Sequence, residues 1–515
     1  MWSMAAGRLA DRPAPEALSA LLSHGEPSRT AFVVPDGASL TYQQAGERAE
    51  NYARHLAEAG VRRGDRVALA LPGGPDLVLL ILAAAALGAT AAPLNPTYTE
   101  REFAFYLQDI APRALLIAAS GPAAAAAAAT AMAAPVLTLK TTGSRLPQLL
   151  ADGQAVRAAT AVERGGPDDV ALVLHTSGTT SRPKQVPLRQ RNLMASARTI
   201  AAHYRLSPSD VSFCVMPLFH VHGLVASVFA TLSAGGAVIA PSRFTPHRFW
   251  RQARDQGATW LSASPTLHRM ILDRADGAAP PRTLRFVRSC SSALPLALLE
   301  RAETGYGVPM LEAYGMTEAS HQITSNPPPP APRVPGSVGV PTGTEVAVAG
   351  KDGHLLPEGT TGEVVIRGPG VMSGYVNDPA ATAEAFFGDW FRTGDRGVMR
   401  NGLLHLEGRL KEMILRGGEN IAPGEIEEVL MSHPAVSDAV CFGVADEKYG
   451  ELVSAAVTLA QDVEPEVLIA YCGERLAPFK IPVTIHVLAE MPRTATGKVQ
   501  RRRMPDFIAG KRVAK

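Results

Sequence analysis

The sequence predicts an α/β protein that carries a β-rich subdomain and ends in a small α+β domain, and three observations lead there. First, short apolar or β-branched runs alternate with helix-length segments through most of the chain, the pattern of βα units around largely parallel sheets. VALALP is followed by DLVLLILAAAALG, AVIAPS by TPHRFWRQARDQG, and ATWLSAS by PTLHRMILDR. Second, from about 335 to 407 the pattern turns to short strands with frequent glycine, as in GSVGVPTGTEVAV, GEVVIRGPG and NGLLHLEGR. Third, the last hundred or so residues hold APGEIEEVLMSHP, DAVCFGV and EVLIAYCGERLAPFKIP, enough helix and strand for a domain of their own. The boundary is expected near Gly408 to Lys411.

Within that frame, the apolar run from Leu77 to Ala92 reads as a buried helix, since it is shorter than the roughly 20 residues of a membrane span and contains Gly88. The alanine tract 121–135 reads as a surface helix or connector. At 515 residues the chain exceeds one ordinary core and calls for several domains. Fifty Lys and Arg against 48 Asp and Glu leave a formal charge of +2, no electrostatic footprint for nucleic acid. Cys214, Cys290, Cys441 and Cys472 are widely spaced, which suggests neither zinc site nor disulfide framework and fits a cytoplasmic protein. The opening MWSMAAGRLADRPAPEALSA has no apolar core behind a basic cluster, so no signal peptide is expected.

The most informative stretch is LVLHTSGTTSRPKQVPL, residues 172–188: a strand, a Ser/Thr/Gly-rich loop with one lysine, then a helix from about Gln190. Such a loop offers backbone N–H groups, hydroxyls and a cation to polyphosphate oxygens. Pro183 stands before the lysine, which excludes a Walker A loop. Taken alone, the segment reads equally as a polar surface turn.

Six motifs in order change that balance. The loop, LEAYGMTE (311–318), FRTGD (391–395), GRLKE (408–412), RGGENIAPGEIE (416–427) and PRTATGKVQR (492–501) resemble those of the adenylate-forming superfamily of acyl-CoA synthetases, luciferases and peptide-synthetase adenylation domains, over roughly 30–510. The resemblance implies an N-terminal adenylation core over 1–408, multi-subdomain with two mixed βα sheets and the β-rich subdomain. It further implies a hinge at 409–411 and a small mobile lid over 412–515.

By the same resemblance Thr176, Ser177, Gly178, Thr179, Thr180 and Lys184 cover the ATP phosphates, with Gln185 standing where the family usually has glycine. Ser291, Ser292 and Ala293 with Glu312, Ala313 and Tyr314 hold the adenine. Thr317 touches the α-phosphate, Glu318 binds Mg²⁺, Asp395 grips the ribose, and Arg409 contacts ribose or phosphate. Lys411 is the pivot of the lid. Lys498 reaches into the adenylation site, where two anions must approach and a cation offsets the gathering charge. Rotation then brings Gly417 and Gly418 to the pantetheine arm of coenzyme A, glycine allowing close passage. Each residue has a plainer reading as well: Tyr314 as a core aromatic, Glu318 as a helix N-terminal carboxylate, Asp395 and the glycine pair as turn residues, and Lys498 with its arginines as a solvated basic tail.

PLFHVHG (217–223) resembles the acyl-CoA synthetase branch, with His220 at the mouth of the acyl pocket. The H-x-H pair has no third ligand nearby to make a metal site. In MTEASHQITSNP, Ser320, His321 and Gln322 are polar where ligases for long or aromatic acids are small or apolar, and Ser289 faces them by family geometry. This set is similar to that of oxalate:CoA ligases. A short acid with a second carboxylate explains it, because a buried anion needs donors. The sequence thus implies an ATP-, Mg²⁺- and CoA-dependent acid:CoA ligase, monomer or homodimer, acting on oxalate. Malonate, medium-chain or aryl acids are the alternatives within the class. A non-catalytic nucleotide-binding homologue, and an ATPase releasing ADP, are the alternatives outside it.

Overall fold

The computed structural model describes residues 17–510 other than 36, 141–147, 152, 160–162, 177–182, 276, 278 and 495–498. Two large sheets form where the apolar runs fall. In one, strands Thr30–Val33, Ala237–Ile239, Val211–Cys214, Trp260–Ala263, Phe286–Ser289 and Met310–Met316 lie side by side and parallel, with antiparallel strands at the edges. In the other, Val170–Thr176, Thr90–Pro93, Arg66–Ala70, Ala114–Ala118 and Val136–Lys140 are parallel neighbours. Helices Pro75–Ala86 and Gln190–His203 bury apolar side chains in a core shared by both sheets. The three strand–helix pairs expected from the sequence all form.

One apolar run divides differently from expectation. Leu77 to Ala86 is helical and buried, but the helix stops at Ala86, Gly88 takes φ 66°, and Thr90–Pro93 enters the sheet. Glycine in the left-handed region ends the helix, and alanine is small enough for the crowded strand that follows. The alanine tract forms helix Ala123–Ala131, with Ala125, Ala128 and Ala129 buried. Among the described residues no helix is long and apolar enough to cross a membrane.

The glycine-punctuated stretch folds as a five-stranded antiparallel sheet that includes Glu345–Ala349, Gly362–Arg367, Trp390–Arg400 and Leu403–Arg409. Beyond it, strands from Ile414 to Val487 form a separate five-stranded sheet around Ile414, Ile426, Leu430, Val453 and Leu468. This smaller body touches the larger one where Arg493 donates to Thr266 Oγ1 at 3.0 Å and Arg269 donates to the Ser437 carbonyl.

Candidate active site

Thr176 ends one strand and Lys184 begins the next, paired across an antiparallel ladder, so the segment read as a phosphate loop joins two strands. The returning strand, Lys184–Arg189, precedes the helix at Gln190 and was not separable from it in the sequence. It lies at the sheet edge, where Pro187 is tolerated because its missing N–H leaves no central ladder bond unmade. Ser177, Gly178, Thr179 and Thr180 lie outside the described residues. Gln185 is buried, and its amide donates to Asp109 Oδ2 at 2.7 Å and to the Asp109 carbonyl at 2.8 Å. Asp109 Oδ2 also meets His175 Nε2 at 2.9 Å. The residue that replaces glycine therefore ties the loop's stem to helix Glu100–Ile110.

Lys184 Nζ stands 4.5 Å over the ring of Tyr375, and the Tyr375 hydroxyl donates to Glu318 Oε1 at 3.3 Å. Glu318 lies in the short 3₁₀ turn Thr317–Ala319 that follows strand Met310–Met316. Burial raises its pKa, against its own backbone N–H, Arg409 and the Tyr375 hydroxyl. Nearby, Tyr314 Oη donates to Asp395 Oδ2 at 2.5 Å, and Arg409 Nε meets Asp395 Oδ1 at 3.2 Å. Asp395 and Arg409 are directly paired residues of a β-hairpin, which fixes that ion pair by register. Burial opposes the charge on Arg409, yet Asp395 and Glu412 hold its pKa above the ordinary arginine value.

Ser291, Ser292 and Ala293 are exposed on the loop after strand Phe286–Ser289, and Ser291 has φ 79°. Glu312, Ala313 and Tyr314 run along the adjacent parallel strand. Burial pushes the Glu312 carboxyl up to about 7, although the N–H groups of Leu294 and Gly336 favour its ionised form. Its Oε2 is buried without a protein partner.

On the acid side, His222 opens a π-helix, His222–Phe229, and its ring stacks on His321 with centroids 4.8 Å apart. π-Helical turns are uncommon and concentrate at functional sites. Ser289 Oγ and His321 Nε2 are both buried with no hydrogen-bond partner. Burial lowers His220 to about 4 and holds His222 and His321 well below the ordinary histidine value, so all three imidazoles are neutral at pH 7. Ser320 and Gln322, read as pocket residues, are satisfied elsewhere. Ser320 donates to the Gly370 carbonyl at 2.8 Å, and Gln322 Oε1 accepts from Tyr204 and Arg288, each at 3.0 Å.

Three residues here were missed in the sequence. Arg288 is fully buried, Tyr375 bridges Lys184 and Glu318, and His222 spends both ring nitrogens on hydroxyls, Ser262 and Ser291. The available signal was an arginine in phase with Leu284 and Phe286 in LRFVRS, on the alternate positions of an apolar strand face.

In the smaller body, Gly417 and Gly418 form the turn between strands Ile414–Arg416 and Glu419–Ile421, with φ 58° and 91°. Successive positive φ angles suit a tight hairpin and favour glycine. Lys411 is exposed in the short turn Leu410–Glu412, and its carbonyl accepts from Arg502 at 2.7 Å. Lys498 lies outside the described residues.

Two parallel-centred sheets, a β-rich subdomain and a small C-terminal domain make up an adenylate-forming enzyme fold. The chain belongs to the AMP-binding enzyme family: the family's model matches residues 23–376, and that of the AMP-binding enzyme C-terminal domain matches 425–498. It is similar to an oxalate–CoA ligase of Arabidopsis thaliana, 45% identical over 489 residues that cover 92% of this chain and 95% of the relative. It is also similar to an oxalate–CoA ligase of Saccharomyces cerevisiae, 39% identical over 484 residues, 87% of this chain and 88% of the relative. Among solved structures, ATP-bound MatB from Rhodopseudomonas palustris superposes with a TM-score of 0.87 at 30% identity, over 97% of this chain and all of that one.

Proposed function

We propose that this chain is an ATP-dependent acid:CoA ligase whose acid is oxalate. In the first step a carboxylate oxygen attacks the α-phosphorus of ATP and pyrophosphate leaves, giving the acyl-adenylate. In the second the coenzyme A thiolate attacks the acyl carbon and AMP leaves, giving the thioester. The observation that carries the choice of acid is the pair of buried, unpartnered atoms Ser289 Oγ and His321 Nε2. Leaving such a group unmet costs about 1–3 kcal/mol, a cost a polar ligand removes and an acyl chain does not. Family and relatives agree with the reading.

The remaining roles follow the resemblance. Thr176, Lys184 and the loop between them hold the phosphates, and Thr317 approaches the α-phosphate. Ser291, Ser292, Ala293, Glu312, Ala313 and Tyr314 surround the adenine, while Asp395 and Arg409 take the ribose. A buried carboxylate oxygen is the donor a hard cation takes, so Glu318, in the turn after strand Met310–Met316, would hold Mg²⁺. When bound, the ion would offset charge on the phosphates. Lys498 serves adenylation. Rotation about Lys411, within a hinge at 409–411, then presents Gly417 and Gly418 to the pantetheine arm. His220 closes the mouth of the acid pocket. Four buried cysteines, all unbridged, support a reducing cytoplasm as the working compartment, with the chain as monomer or homodimer.

The test is pyrophosphate release measured over oxalate, malonate, octanoate and 4-coumarate, with and without coenzyme A. Oxalate should be preferred, with AMP as coproduct. Preference for octanoate or 4-coumarate would overturn the choice of acid, and ADP as product would overturn the ligase.

A further inference from the structure

Arg288 is fully buried in strand Phe286–Ser289, and none of its hydrogen-bond partners is a carboxylate. Nε donates to Tyr204 Oη at 2.8 Å, Nη1 to Ser262 Oγ at 2.7 Å, and Nη2 to Gln322 Oε1 at 3.0 Å. Nη1 also stands 3.4 Å from His222 Nε2. Among the described residues no Asp or Glu forms an ion pair with it. A buried charge is normally paired, because desolvating it alone is expensive. Guanidinium remains protonated in proteins, so neutralising itself is not open to Arg288.

The donor inventory fixes the bonds that Arg288 makes, and its charge orders those that lead on to the cleft. A guanidinium offers donors only, so Ser262 Oγ accepts from Arg288, its neighbour across the parallel ladder. His222 Nε2 faces that guanidinium and lies 2.7 Å from Ser262 Oγ. The guanidinium N–H that faces Nε2 at 3.4 Å is met by a lone pair there and repelled by a proton, so Nε2 holds the lone pair and Ser262 donates to it. The ring proton therefore sits on Nδ1 and is donated to Ser291 Oγ at 2.8 Å. Ser291 accepts, and its own proton is left to turn outward from an exposed loop. His321, stacked on His222, has its Nε2 buried and unpartnered. Hydrogen bonds that all point one way, backed by a fixed positive charge, polarise one another toward an anion.

The geometry points to Arg288 as the positioning residue that makes this pocket selective for acids with a second anionic group: it sets His222 as the Nδ1–H tautomer through Ser262 and supplies the charge that group answers. The inference rests on the acid:CoA ligase reading and deepens its choice of substrate. Arg288 acts through its neighbours, and no contact between it and the acid is implied.

The experiment compares Arg288→Met and Arg288→Lys with the parent enzyme, using kcat/KM for oxalate and for acetate, its two-carbon mono-acid counterpart. Arg288→Met should lose at least 30-fold more toward oxalate than toward acetate, with the KM for ATP unchanged, and Arg288→Lys should recover part of the difference. Equal losses toward both acids would reduce Arg288 to a structural residue. If the parent uses malonate and not oxalate, the oxalate reading fails, and the same ratio for malonate against propionate judges Arg288. A parent that activates no diacid overturns both. Independently of any variant's folding, ¹⁵N NMR of histidine-labelled parent enzyme should show His222 protonated at Nδ1, its signal identified by its loss in His222→Gln. Protonation at Nε2 overturns the inference.

Discussion

The carbonyl oxygen of His321 occupies the space where a side chain on Gly315 would begin, so the two strands of this hairpin approach more closely than any other residue at 315 allows. The ladder shifts register between Tyr314 and Gly315, and Ser320 and His321 both adopt positive φ, 53° and 108°. That backbone turns the His321 imidazole onto His222. Gly315→Ala should therefore push the hairpin apart, at a cost of about 1–3 kcal/mol typical of overpacking. Urea unfolding should register the loss, and oxalate-dependent pyrophosphate release should fall with it. A variant as stable and as active as its parent would remove the close approach from the explanation of the site.

Tyr314→Phe deletes one bond to Asp395 and leaves Arg409 in place. If Asp395 holds the ribose, its carboxylate loses one of the bonds that orient it. The KM for ATP should rise roughly tenfold, equivalent to about 1.4 kcal/mol, while the KM for the acid stays within twofold. Initial rates with each substrate varied in turn give both numbers. A change confined to the acid would detach Asp395 from the nucleotide.

These expectations mix what the sequence shows with what it hides, and the division has a physical basis. Period and turn chemistry are local, so the strand–helix pairs and the helix at Gln190 were legible. The family pattern pointed to Ser289 and His321, whose Oγ and Nε2 are buried and unpartnered. Partner identity is not local. Gln322 and Ser320 sit beside His321 in sequence, yet their side chains bond to Arg288, Tyr204 and Gly370, and only the fold reveals which polar residue is left over. Arg288 was passed over for the same reason: an arginine in phase with Leu284 and Phe286 signifies little until its neighbours are known to be neutral.

Glu312 makes stability depend on pH in a calculable direction. Its carboxyl titrates near 4.5 when unfolded and about 7 when folded, because burial disfavours the charge. Between those values the folded state binds the extra proton, so stability falls as pH rises, by on the order of 3 kcal/mol in all, and levels off above pH 7. Glu312→Gln cannot titrate. The difference in unfolding free energy between parent and variant should therefore change from pH 4.5 to 7 and stay flat from 7 to 9. A flat difference throughout would mean that Glu312 is not held in its neutral form.

Lys498→Ala separates the two half-reactions. One lysine assigned to adenylation predicts a loss of roughly 10²- to 10³-fold in pyrophosphate release, the usual effect of removing one charge-stabilising group. If the lid turns the lysine away for the second step, transfer from a supplied acyl-adenylate to coenzyme A should persist within a few fold. Equal loss in both assays would make the residue structural.

The last prediction separates function from folding at His321. A buried imidazole with an unmet Nε2 and a φ of 108° contributes little to the stability of the free protein. The unmet group costs about 1–3 kcal/mol and the left-handed backbone of a non-glycine residue about 1–3 kcal/mol more. His321→Ala removes the first cost, keeps the second, and opens a cavity whose lost packing works the other way. The terms nearly cancel, so the variant should unfold within about 1 kcal/mol of its parent, whereas an imidazole kept for packing alone would cost several. His321→Gly relieves the backbone as well and should be no less stable than the alanine variant. For catalysis the signs do not cancel: if His321 donates to the acid, both variants lack that donor, so kcat/KM for oxalate should fall at least tenfold while the KM for ATP holds. Urea unfolding and steady-state rates on the same two proteins decide the matter. Large destabilisation with unchanged oxalate turnover would make His321 a core residue and return the choice of acid to the open alternatives.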